Sequence, residues 1–151
     1  MIITFIGHRT LGNQNDLHDK IQKVINENVP FQGETKFYCG GYGDFDNLCA
    51  QACRAMKKKQ PCCEIVFITP YITKAQQEKM RRLTESCLYD SILYPPLEKI
   101  PYKFAISKRN EWMVDQADLI IAYVEHAFGG AYKSLVYAKR KKKAIINLAE
   151  Q

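Results

Sequence analysis

Lys36-Phe37-Tyr38-Cys39-Gly40-Gly41-Tyr42-Gly43-Asp44-Phe45-Asp46 runs from an apolar segment, through three glycines in four residues, into a segment of helical periodicity. Such a near-continuous apolar run marks a strand buried on both faces, and the glycines turn the chain from strand to helix. The same alternation extends in both directions. Short apolar runs recur at residues 2–6, 36–39, 65–68, 91–94, 119–124 and 144–148. Helical patterns lie between most of them, at 13–28, 44–58, 74–83, 107–116 and 131–142. Leu17, Ile21, Val24 and Ile25 form one stripe, and Leu48, Ala52, Ala55 and Met56 another. Strand alternating with helix predicts an α/β fold of βαβ units: a Rossmann-like, three-layer domain around a mostly parallel sheet of five to six strands. The irregular stretch at 94–102 holds Pro95, Pro96 and Pro101, which exclude a helix or a central strand there. It reads as a connecting loop or as a lid over a pocket edge.

The chain has 151 residues, the size of one domain, so a single domain over 1–151 is expected. Hydrophobic residues at 46% and charged residues at 25% exclude a disordered tail, a collagen-like chain and a coiled coil. No apolar run approaches the ~20 residues that span a bilayer, so no membrane partner is expected. Residues 1–7 read as a strand rather than a signal peptide, which points to a cytoplasmic protein. Cysteines at 39, 49, 53, 62, 63 and 87 form no CxxC and no paired zinc spacing. They read as reduced thiols, with Cys49 and Cys53 on one helix face and in the core. His8, His18 and His126 are scattered, and no metal ligand set stands out.

In a parallel α/β sheet, ligands bind outside the carboxyl ends of the strands, so the strand-to-helix loops carry the functional reading. Gly7-His8-Arg9-Thr10 follows the first run; its glycine permits close backbone approach, and Arg9 suits a phosphate. Gly40, Gly41 and Gly43 follow the second, with helix-start amides suited to a phosphate or ribose. Asp44 or Asp46 either caps that helix or accepts a ribose hydroxyl. Glu125-His126-Ala127-Phe128-Gly129-Gly130-Ala131 follows the fifth run, and again a Gly-Gly pair opens a helix. The loop at 40–46 is neither a Walker A nor a G-x-G-x-x-G motif. Together the loops predict one shared small-molecule pocket. Lys108-Arg109-Asn110 opens the helix before the fifth run; read by connectivity alone, that end falls on the opposite edge of the sheet. The runs Lys57-Lys58-Lys59 and Lys139-Arg140-Lys141-Lys142-Lys143 end helices, where cations complement the helix dipole. A net charge of +6 permits polyanion partners without demanding them.

These pieces, in this order, resemble the SLOG superfamily, the Rossmann-like group that includes LOG-type proteins and DprA/Smf domains, and within it the small YpsA-like branch. The matching segments are Thr4-Phe5-Ile6-Gly7-His8-Arg9, Gly40-Gly41-Tyr42-Gly43-Asp44-Phe45-Asp46, the stretch from Arg109 to Asp118, and Gly129-Gly130. The resemblance implies a nucleotide or nucleotide-derived ligand at the glycine loops and, since SLOG proteins commonly pair through helices, a homodimer; no cofactor is expected. Tyr102, Phe104 and Trp112 are candidates for an apolar patch. The resemblance also implies that Arg109 reaches the site. LOG-type proteins cleave nucleoside monophosphates using a glutamate whose position here is Val136, and valine can neither transfer a proton nor stabilise an oxocarbenium ion. Glu125, or Asp46, would have to substitute. The leading expectation is therefore a nucleotide-sensing or nucleotide-binding protein. The alternatives are a nucleoside-phosphate N-glycosidase using Arg109 and Glu125, and a DprA-like nucleic-acid-associated protein.

Overall fold

The apolar runs become six strands: β1 (Ile2–Gly7), β2 (Thr35–Cys39), β3 (Cys63–Ile68), β4 (Ser91–Leu93), β5 (Leu119–Tyr123) and β6 (Ala144–Asn147). The periodic segments become five helices: α1 (Leu17–Asn28), α2 (Asp44–Lys59), α3 (Lys74–Glu85), α4 (Ala105–Gln116) and α5 (Gly129–Arg140). The computed structural model describes residues 1–12 and 15–150. Asn13 and Gln14, at the expected start of the first helix, lie outside the described residues. The sheet is parallel throughout, in the order β4-β3-β2-β1-β5-β6.

Both sheet faces are apolar because both are covered. Ile3, Phe5, Phe37 and Phe67 join the cluster built with α1 and α2. Their sequence neighbours Ile6, Tyr38, Val66 and Ile68 point the other way, into two clusters shared with α4 and α5. α1 packs on α2, and α4 on α5, which completes three layers. Trp112 goes into this packing, stacked on Tyr38 at 5.7 Å, whereas Tyr102 and Phe104 are exposed. The lysine runs sit where helices end: Lys57 pairs with Asp90, and Lys143 Nζ donates to the Asp115 and Ala117 carbonyls that close α4. Among the described residues no helix is long and apolar enough to cross a membrane.

The chain steps outward from β1 through β2, β3 and β4, then returns to place β5 on the other side of β1. The connections around β1 and β5 therefore depart to opposite faces and leave a crevice at the carboxyl ends of this pair. That is the topological switch point of the sheet, where open α/β folds bind their ligands.

Candidate functional site

A cleft of ≈ 420 Å³ occupies this crevice. Gly7, His8 and Arg9 come to it from the end of β1, Asp46 from α2, Arg109 from α4, and Gly129 and Gly130 from the start of α5. Gly40, Gly41, Gly43, Asp44 and Glu125 are not among its lining residues. Nor is any residue of the proline-rich stretch 94–102, which crosses to the other face of the sheet with Pro95 and Leu97 buried.

The position of Arg109 corrects the expectation drawn from connectivity. A helix that carries the chain back to the start of the next parallel strand runs against the strands, so its first turns lie at their carboxyl edge. Arg109 therefore stands at the carboxyl edge of the sheet and not at the opposite one. Arg109 is 2% exposed. Its Nη1 donates to the carbonyls of Gly40 (3.1 Å) and Ile68 (2.6 Å), at the ends of β2 and β3, and its Nε donates to Asn110 Oδ1 (2.9 Å). Burial draws its pKa below the ordinary guanidinium value, while Asp46 and the Tyr42 ring, 5.5 Å away, favour the charge. Among the described residues Nη2 makes no hydrogen bond, so the cation keeps donors beyond those that hold it in place.

The 40–43 loop, and the end of β1 at Gly7, are closed by their own neighbours. A Cβ on Gly7 would overlap the Phe45 ring, and one on Gly41 the Phe67 ring. A Cβ on Gly43 would lie 2.6 Å from Arg9 Cα. Gly41 also has a φ of 73°, which side chains rarely adopt. The polar groups are used internally too: Asp44 N–H donates to the Arg9 carbonyl (2.8 Å), and Leu11 N–H to Asp44 Oδ2 (2.9 Å). Tyr42 N–H donates to Asp46 Oδ2 at 3.1 Å. Burial raises the Asp46 carboxyl to about 6, against the pull of the Tyr42 amide and of Arg109. Asp46 thus holds its proton more tightly than an ordinary carboxylate does.

The second glycine loop is anchored at its root and open at its tip. Asn147 of β6 takes both backbone groups of Val124: Val124 N–H donates to Oδ1 (3.1 Å), and Nδ2 donates to the Val124 carbonyl (3.2 Å). Glu125 N–H donates to His8 Nε2 at 2.9 Å, and the Glu125 carboxylate accepts from Tyr123 OH. Beyond these ties, no side chain or loop carbonyl accepts from Gly130 or Ala131 among the described residues, although the first N–H groups of a helix have no partner within it. A Cβ at Gly130 would meet nothing within 4 Å, and the backbone there has no positive φ. Val136, at the LOG-type glutamate position, is exposed and outside the cleft.

His126 and Phe128, to which the sequence alone assigns no role, both line the cleft. One signal was available: Phe128 sits at the α5 N-cap, where Ser, Thr, Asp and Asn are preferred.

Fold and cleft together define a doubly wound α/β protein with a cationic crevice at its switch point. No family model matches the chain. An uncharacterized SPbeta prophage-derived protein, YoqJ of Bacillus subtilis (strain 168), is 26% identical over 141 residues, spanning 82% of this chain and 81% of that protein. The fold resembles that of part of two solved DprA structures. DNA processing protein A from Helicobacter pylori, solved in a study of its single-stranded DNA binding mode, superposes with a TM-score of 0.63 at 16% identity, over 96% of this chain and 63% of that one. DprA from Streptococcus pneumoniae gives 0.51 at 14% identity, over 98% and 59%. The chain thus spans about three fifths of these two structures, and the likeness is one of fold.

Proposed function

We propose that the cleft binds the phosphate of a nucleotide or nucleotide-derived ligand, and that the protein acts by binding rather than by hydrolysis. The carrying observation is Gly130. Gly130 lies in the first turn of α5, where a glycine still gives up more backbone freedom on folding than an alanine would. Here neither backbone conformation nor packing calls for one. An approach to the α5 amides from outside accounts for it. An anion seated there meets unpartnered N–H groups at the positive end of a twelve-residue helix, with Arg9 and the spare donors of Arg109 on the same cleft. The ordered resemblance to SLOG proteins supports the same placement. Binding is favoured over hydrolysis because Val136 is inert and Glu125 is turned to Tyr123. Thermal unfolding with AMP, ADP, ATP, NAD and ADP-ribose in large excess tests the reading. A ligand at 100 times its Kd adds about 2.7 kcal/mol, a rise of several degrees in Tm. No shift with any of them overturns the reading.

A second reading has its own support, because the Helicobacter pylori neighbour binds single-stranded DNA. Phosphates of a strand would use the same amides and arginines. An oligonucleotide would then bind with log K falling by about 0.7 per phosphate contacted for each tenfold rise in salt, and no binding at low salt would remove this reading.

A further inference from the structure

Phosphate binding does not explain the aromatic rings beside the α5 terminus. His8, His126 and Phe128 form a column: His8 and His126 stack at 3.9 Å with planes 8° apart, and His126 and Phe128 at 4.2 Å and 25°. The base of the column is fixed. His8 is held by the Glu125 amide and by an edge contact with the Tyr123 ring at 6.4 Å. The top is open, since Phe128 is 69% exposed. At the N-cap of α5 this side chain makes no cap hydrogen bond, and it adds almost nothing to the core. A phenylalanine so placed buries little surface beyond its contact with His126. It does present a flat ring, already backed by His126, at the mouth of the cleft.

We propose that Phe128 is the stacking seat for a nucleobase, so that the ligand class is a nucleoside phosphate rather than a sugar phosphate or an inorganic anion. This rests on the phosphate-site reading above. The spacing agrees: Phe128 and Gly130 are two positions apart with only Gly129 between them, at most about 7 Å between their Cα atoms, so the ring and the free amides lie within the length of one nucleotide. A preordered ring loses little freedom when a base stacks on it, and aromatic stacking accepts any base, so discrimination among bases is weak and discrimination against base-free ligands is strong.

Titration calorimetry with AMP, GMP, CMP, UMP and ribose 5-phosphate tests the proposal. The wild-type protein binds at least one mononucleotide roughly tenfold or more tighter than ribose 5-phosphate. Phe128→Ala brings that mononucleotide down to the level of ribose 5-phosphate and leaves ribose 5-phosphate unchanged, while Phe128→Trp retains the preference. Phe128 is exposed, so neither variant endangers folding. Equal binding of mononucleotides and ribose 5-phosphate by the wild type overturns the stacking seat and leaves the phosphate site standing. So does a Phe128→Ala variant that weakens both alike or neither. Binding of none of the five overturns both.

Discussion

The two glycine loops look alike as sequence and differ as structure. Each follows a buried strand, each opens a helix, and each lies at the same edge of the sheet. In the 40–43 loop the missing side chains are accounted for by Phe67, Arg9 and Arg109, and the polar groups by internal hydrogen bonds. In the 129–130 loop Gly130 faces open space, and no described group accepts from its amide. The first loop shapes one wall of the cleft by holding Arg109 and Asp46. The second leaves room for something else. A glycine cluster therefore reports close approach of the backbone, and only the space beside each glycine tells whether the approaching group belongs to the protein.

The largest effect that sharpens this contrast is at Arg109. Arg109→Leu leaves the Gly40 and Ile68 carbonyls buried without donors, for a loss of about 3–5 kcal/mol in chemical denaturation. A loss below about 1 kcal/mol would show that the arginine does not hold the first loop. Gly41→Ala follows, at about 3 kcal/mol, from overlap with Phe67 added to a left-handed backbone. Its Tm should fall by roughly 6–12 °C.

Asp46 is next, with the opposite sign. Its native pKa of about 6 lies above the ordinary 3.8. The folded protein therefore holds this proton more tightly than the unfolded chain does. This contribution to stability is largest below about pH 4, falls as pH rises toward 6, and stays lost above that. Asp46→Asn keeps an acceptor for the Tyr42 amide and removes the buried charge. It should gain on the order of 2 kcal/mol at pH 7 and nothing at pH 4, read from denaturation curves at the two values. The smallest effect is at Gly130. Gly130→Ala should change stability by less than about 1 kcal/mol, in the stabilising direction. A large loss there would erase the distinction between the loops.

The layers, strand positions and carboxyl-edge cleft were legible because strands buried on both faces read as continuous apolar runs, and because strand-to-helix loops in such folds gather at one edge. Element ends were less so. The start of α5 at Gly129 falls two residues ahead of the apolar pattern, since glycine carries no periodicity. Whether a glycine serves packing or a ligand was not legible, because the answer lies with residues far along the chain, such as Phe67 beside Gly41. The same is true of Asp44, whose partner amide belongs to Leu11. The buried role of Arg109 was hidden for another reason: a charged residue in a polar run, Ser107-Lys108-Arg109-Asn110, gives no sign of burial until two strand ends need a donor.

The central claim is that the α5 loop, and not the 40–43 loop, receives the ligand. Thermal unfolding of the wild type and of Gly130→Asp, each with and without excess AMP, tests it most directly. The aspartate should fit into open space and leave the ligand-free Tm within a few degrees of wild type. The AMP-induced rise should disappear, because a carboxylate then stands where the phosphate sits. A Gly130→Asp protein that keeps the full wild-type shift would contradict the claim.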